Sequence, residues 1–254
     1  MSNGKIFYNN LIETPTISVS SETAGFEKEY LGNKNQGVVW RSESSATDPE
    51  PLVSMTFTDG GGLPLAVDVA GVVVLNHNLQ NGDELYFECS NNAAFDDVAP
   101  GNVVYSTPNI WEKGFAEVAW NQPYYRLRMK KNTPGADYVQ VGEIYLVGAI
   151  YPFDRNYQWN YSFTKEINRN SKETTSGQIY RKTRFIRKGF SLDFDGMNDA
   201  QKETFETISE NDYICFLPTG GDGAIYYGII DFSSYTHVYS NYWTANITFM
   251  ENPK

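Results

Sequence analysis

Apolar side chains recur at every second position through most of this chain, and that period organises it. Across 124–130, Tyr125, Leu127 and Met129 fall on one face, and Tyr124, Arg126, Arg128 and Lys130 on the other. Such alternation marks a strand with one face buried. Asn132-Thr-Pro-Gly135 supplies a turn, and Val139, Val141, Ile144 and Leu146 give a second strand whose phase shifts at Gly142, as a bulge would. Upstream, Ile17 and Val19 alternate, 38–41 is a short strand, and Val53, Met55 and Phe57 alternate until Asp59-Gly-Gly-Gly62 breaks the pairing. The apolar run 65–75 predicts one long strand, or two joined at Ala70-Gly71, of the kind buried on both faces. Asn81-Gly82 then predicts a tight hairpin into a strand with Leu85, Phe87 and Cys89 on one face. Residues 91–109 read as a long loop, and 115–120 as a further strand. About eight short strands with polar loops and no helical period predict a jelly-roll β-sandwich over 1–150.

The pattern changes at 151. Tyr157, Trp159, Tyr161 and Phe163 alternate with polar residues, giving a strand with one aromatic face. Residues 164–188 predict a long hairpin with a polar, β-poor middle at 168–177. Phe190, Leu192 and Phe194 alternate next. One helix is predicted, over 198–209. Asn198 stands at its N-cap, Gln201 completes a capping box, and Met197, Ala200, Phe205 and Ile208 share a face. Strands follow at 213–217 and 224–232, with a turn between them at 218–223, and Trp243, Ala245, Ile247 and Phe249 alternate at the end. The chain is therefore read as mainly β: a sandwich at 1–150, then a β-rich α+β domain at 151–254 with one helix on its sheet.

Charge supports the division. The net charge is −11, but residues 1–150 hold 9 Lys and Arg against 18 Asp and Glu, while 151–254 hold 11 against 13. The acidic balance argues against nucleic acid as a partner beyond its passage through a channel. Cys89 and Cys215 lie one in each half, in apolar strands, and read as two buried thiols. The sequence opens without a leader-like run, and no apolar stretch approaches the ~20 residues of a membrane span. A soluble protein made in a reducing compartment, or one indifferent to redox, is expected.

Candidate chemistry is sparse. His77 lacks an acid or nucleophile neighbour in sequence, and His237, among Tyr235, Tyr239 and Tyr242, reads as a surface or packing residue. Asp96-Asp97 and Asp59-Gly-Gly-Gly62 could place oxygens around calcium, but solvated acidic loops are the commoner outcome. Asp193 and Asp195 are the residue types of a glycosidase pair, but alternate positions on an outward-facing strand read as solvent-facing charge. No catalytic residue, cofactor site or metal site is assigned. In the predicted hairpin, Lys165, Arg169, Lys172, Arg181, Lys182, Arg184, Arg187 and Lys188 stand against Glu166 and Glu173. A protruding hairpin of this kind suits contact with another subunit, carried by Lys165, Arg169, Lys172, Arg181, Arg184 and Arg187. Trp40, Tyr105, Trp111 and Tyr124 are the aromatics proposed to stack on sugar rings.

Asn10-Leu11, the Ser-rich strand 16–21, Val39-Trp-Arg-Ser42, the strand 72–75 with Asn76-His-Asn-Leu79, Tyr125-Arg-Leu-Arg-Met129 and Val141-Gly-Glu-Ile-Tyr-Leu-Val-Gly148 together resemble the discoidin-like, galactose-binding-type β-sandwiches. Their combination is similar to minor tail proteins of long-tailed bacteriophages. Residues 184–194, the helix 198–209 and Phe249-Met-Glu-Asn252 resemble the β-sandwich-plus-helix fold of phage tail tubes and distal tail rings. The usual distal tail protein places the ring domain first; here the order is reversed. The resemblance implies a tail-tip structural protein, assembled in the host cytoplasm and carried in the virion. It would form a homo-oligomeric ring through 151–254, with 164–187 reaching the next subunit, next to tube, hub and tape-measure proteins. The alternatives weighed are a carbohydrate-binding adsorption protein recognising host surface glycans, and a glycan-active enzyme dependent on Asp193 or Asp195.

Overall fold

The computed structural model describes residues 4–80, 82–96, 103–105, 113–132, 137–153, 162–173, 175, 179–218, 225–239 and 241–252. The hairpin residue Asn81, the turn residues 133–135, Asp97, the aromatic strand positions Tyr157, Trp159 and Tyr161, most of the hairpin tip at 174–178 and most of the turn at 218–223 lie outside them. In chain order the strands are β1 (Lys5–Asn10), β2 (Thr16–Val19), β3 (Trp40–Arg41), β4 (Leu52–Thr56), β5 (Val67–Leu75), β6 (Glu84–Ser90), β7 (Val103–Tyr105), β8 (Lys113–Gln122), β9 (Tyr124–Lys130), β10 (Gln140–Val141), β11 (Glu143–Pro152), β12 (Ser162–Glu173) and β13 (Ile179–Met197). Helix α1 (Asp199–Ser209) is followed by β14 (Ile214–Leu217), β15 (Tyr226–Tyr239) and β16 (Tyr242–Glu251). The protein is mainly β, with sandwich-like sheets. Its chain forms two compact units: residues 9–150 with 223–225, and residues 1–8 with 151–222 and 226–254.

In the first unit an antiparallel sheet ordered β2-β4-β9-β6-β7 packs against strands ordered β11-β5-β8. Val53, Met55, Leu85, Phe87, Tyr125, Leu127 and Met129 from one side meet Val72, Val74, Ile144 and Leu146 from the other in one core. The alternation of β9 is complete: its three odd-numbered inner side chains are buried and the four between them are half-buried. Tyr125 carries its hydroxyl into that core by donating to the carbonyl of Val67 at 2.8 Å, and burial pushes its pKa up. Gly142 does not bulge a single strand. It marks a change of partner, since β10 pairs with β3 and β11 with β5. A Cβ there would lie 2.6 Å from the carbonyl oxygen of Gln36, so the crossing point has room only for hydrogen. Leu65, read as part of the apolar strand, lies outside β5 and is exposed; the strand begins at Val67.

In the second unit six strands run in the order β12-β13-β16-β15-β14-β1. The opening strand pairs with β14, Lys5 opposite Leu217 and Phe7 opposite Cys215. Helix α1 has the capping box its sequence spells: Gln201 N–H donates to Asn198 Oδ1 at 2.8 Å and Asn198 N–H to Gln201 Oε1 at 3.0 Å. It buries Phe205 and Ile208 in a core with Phe153, Phe190, Leu192, Phe216, Ile247 and Phe249. An 11-residue helix is marginal by itself, so this apolar contact holds it in place.

Candidate functional site

Strands β12 and β13 build a basic arm. They pair from Ser162 opposite Ser191 to Glu173 opposite Ile179, with a register shift between Asn168 and Arg169. Residues directly opposed on antiparallel strands share a face. One face therefore carries Phe163 with Phe190, Lys165 with Lys188, and Ile167 with Ile186. Phe190 is a core residue, and its ring meets Phe163 edge-on at 5.4 Å. Beyond it Phe163, Ile167 and Ile186 are 51%, 37% and 46% exposed, so the face of the arm that leaves the core carries open apolar side chains, with Lys165 and Lys188 between Phe163 and the isoleucine pair. Ile179 and Tyr180, where β13 begins, are also exposed. Among the described strands β12 stands at the edge of its sheet, and an edge offers its backbone groups to a neighbour.

Lys165, Arg169, Lys172, Arg181 and Arg184 are exposed on this arm, where the sequence places them. Arg187 differs. Its guanidinium pairs with Glu166 across the hairpin, Nη2 at 2.6 Å and Nε at 2.7 Å, so it ties the arm together. The sequence reading missed the open apolar side chains of the arm. Their signal is the pairing of Ile167 with Ile186, which Lys165 and Lys188 on the same face cut off from the aromatic alternation.

At the far end of the same sheet, Tyr239 pairs with Tyr242 at the turn between β15 and β16, and Val238, Tyr239 and Tyr242 are exposed. Asp193 and Asp195 project from the solvent face of β13 beside a shallow polar hollow of about 390 Å³, also lined by Ser234, Thr236, Thr244 and Asn246. Asn246 Nδ2 donates to Asp193 Oδ1 at 2.6 Å and to Ser191 Oγ at 2.7 Å. This is a hydrogen-bonded surface row, in which Asp195 lies opposite Thr244. His237 stacks obliquely on Trp243 at 4.5 Å. Among the described residues, no group of three or more His, Cys, Asp or Glu is placed to hold a metal ion. No helix among them is long and apolar enough to cross a membrane.

The first unit carries a charged solvent face. Its register sets Tyr124 opposite Ser90, Arg126 opposite Glu88, Arg128 opposite Tyr86 and Lys130 opposite Glu84. Glu88 is buried, its side chain 2% exposed, and accepts hydrogen bonds from Arg126 Nε and from Arg128 Nη2 at 3.0 Å. Arg126 lies over the Phe95 ring and Arg128 over the Tyr86 ring, both at 4.1 Å. The Tyr86 hydroxyl donates to Glu84, which also accepts from Asn132 Nδ2 at 2.9 Å. Those two donors hold the Glu84 carboxyl below its usual range, and the same Glu84 contact pushes the Tyr86 phenol up.

Of the four aromatics proposed for glycan contact, Tyr124 is half-buried on this face. Trp40 is 0% exposed and belongs to the sandwich core, so it has no ring face to offer a sugar. A two-residue strand such as β3 is too short for alternation to tell its inner side from its outer. The side chain of Tyr105 and all of Trp111 lie outside the described residues. His77 is buried, as are Cys89 and Cys215.

No known protein family matches the chain, and no curated protein does. Solved structures do. A chitosan-binding module of the chitosanase/glucanase from Paenibacillus sp. IK-5 has a TM-score of 0.41 at 18% identity, covering 56% of this chain and 99% of that one. The family 32 carbohydrate-binding module of Clostridium perfringens NanJ, solved with galactose, has a TM-score of 0.40 at 11% identity, covering 56% of this chain and 98% of that one. A structure from the Streptococcus pneumoniae β-galactosidase BgaA has a TM-score of 0.40 at 14% identity, covering 56% and 99%.

Proposed function

We propose that this chain is a non-catalytic structural protein whose 151–254 region joins copies of itself through the arm, with the 9–150 sandwich displayed on the assembly. The observation that carries this is the exposure of Phe163, Ile167 and Ile186 on one face of the arm, where Phe163 packs on the core residue Phe190. Burying three half-exposed side chains of this size gains about 1 kcal/mol each, and the set repeats once in every copy. The sequence resemblance supplies the setting: a ring at the tip of a bacteriophage tail, beside tube, hub and tape-measure proteins.

The test is the mass of the purified protein in solution, by light scattering, with electron microscopy of the same sample. The wild type is expected as a closed multimer, and the Ile167→Glu, Ile186→Glu double variant as a monomer with unchanged circular dichroism. A wild type that stays monomeric at every accessible concentration removes the reading.

A second reading concerns the sandwich: it binds carbohydrate. Tyr124 favours it, a half-buried ring on a solvent face beside the partly exposed Arg126, which suits sugar stacking. Glycan-array binding by the whole protein that falls at least about tenfold in Tyr124→Ala, a loss of 1.4 kcal/mol, is the expected result. An array without hits ends this reading and leaves the first untouched.

A further inference from the structure

The arm needs an acceptor, and the distribution of charge and apolar surface within the second unit identifies one. Residues 162–188 carry Lys165, Arg169, Lys172, Arg181, Lys182, Arg184, Arg187 and Lys188 against Glu166 and Glu173. The rest of 151–254 is the reverse, with only Arg155, Lys202 and Lys254 against 11 acidic residues. A region close to neutral overall is thus split into a basic arm and an acidic body. Apolar surface follows the same split. Ile179 and Tyr180 are exposed on the arm, where β13 begins, and Val238, Tyr239 and Tyr242 are exposed at the turn between β15 and β16.

The strand registers put these two patches at opposite ends of one sheet. β13 runs from Ile179 on the arm to Met197, which lies opposite Trp243 beside the β15–β16 turn. Its 19 residues span roughly 60 Å at about 3.3 Å each, so the patches of a single copy do not meet. Around the turn Asp195 lies opposite Thr244, Asp193 opposite Asn246, and Asp199 accepts from Trp243 Nε1 at 2.7 Å, while Lys202, 5.1 Å over the Trp243 ring, is paired with Glu206 at 2.6 Å, so acidic charge is in excess there.

We infer that the arm of one copy docks on the β15–β16 turn end of a second copy through the face that carries Lys172, Tyr180 and Lys182, with Tyr180 against Tyr239 and Tyr242 and the two lysines facing Asp193 and Asp195. The contact is head-to-tail between different surfaces. Repeated through identical copies, such a contact closes into a ring or runs on as a filament, depending on the rotation per step. It is also a contact of opposite charges, so it weakens with added salt while the apolar part remains. The inference rests on the self-assembly reading but goes further, since it names the receiving surface.

The test uses the unaltered protein. Equal amounts of ordinary and ¹⁵N-labelled chain are mixed, assembled and treated with a zero-length carbodiimide, which joins lysine amines to carboxylates in direct contact. Mass spectrometry then maps links that carry one isotope on each side. Mixed-isotope links from Lys172 or Lys182 to Asp193 or Asp195 are expected, and they are lost when salt dissociates the assembly. If light scattering shows an assembly but Lys172 and Lys182 link instead to carboxylates of 9–150, or to none, the acceptor is elsewhere and self-assembly stands. If the protein is a monomer, the acceptor and the assembly fall together.

Discussion

Replacing Glu88 by alanine is expected to destabilise the protein by about 3 kcal/mol, against less than ~1 kcal/mol for Glu50→Ala on the same sheet face. Both carboxylates pair with Arg128, so the difference isolates burial. Glu50 is 42% exposed and lies 3.5 Å from Arg128 and 3.7 Å from Lys130, where water competes for both partners. Glu88 is 2% exposed and serves two guanidiniums at once. Its loss leaves Arg126 and Arg128 held over the Phe95 and Tyr86 rings with like charges side by side and no anion between them. Urea unfolding at constant m-value measures both variants. Equal effects of the two changes would show that water reaches Glu88. Replacing Glu88, Arg126 and Arg128 together by apolar residues of similar volume is expected to recover most of the loss, because the cost lies in stranding the charges.

That network was half legible in the sequence. The alternation of Tyr124, Arg126, Arg128 and Lys130 put four polar side chains on one face, and Glu84, Tyr86 and Glu88 alternate in the same way. The missing information was that β6 and β9 are neighbours with Glu88 opposite Arg126, which is a long-range pairing. The same limit hid the partner of β1, which lies more than 200 residues away in β14. Local signals fared better. Tyr125, Leu127 and Met129 are fully buried as their period requires, and the Asn198 and Gln201 pair fixed the start of α1. Where local pattern misled, elements were short or broken: Trp40 in a two-residue strand, Leu65 before β5 begins, and Ile167 with Ile186 cut off from the aromatic alternation by Lys165 and Lys188.

Phe205→Ala is expected to cost about 3–5 kcal/mol, the range for emptying the space of a buried aromatic ring. Phe205 is 1% exposed, with ring centroids of Tyr151 at 5.0 Å, Phe194 at 5.3 Å, Phe232 at 5.6 Å and Phe153 at 6.3 Å. Rings fixed from several strands cannot all move in to fill the gap, so collapse relieves little of the cavity. Of the helix, only Phe205 and Ile208 are buried, so the substitution removes about half of what fastens α1 to the sheet. A fall in melting temperature of roughly 10 °C follows for a protein of this size. The arm responds differently. Ile167 and Ile186 are already in contact with water, so making them Glu is expected to leave the melting temperature of dissociated protein within a few degrees while abolishing association. Differential scanning calorimetry beside light scattering separates the two effects. A Phe205→Ala protein that melts like the wild type would mean that α1 is not held by this cluster. An Ile167→Glu, Ile186→Glu protein that melts far below wild type would mean that the arm is part of the fold and not a surface kept open for a neighbour.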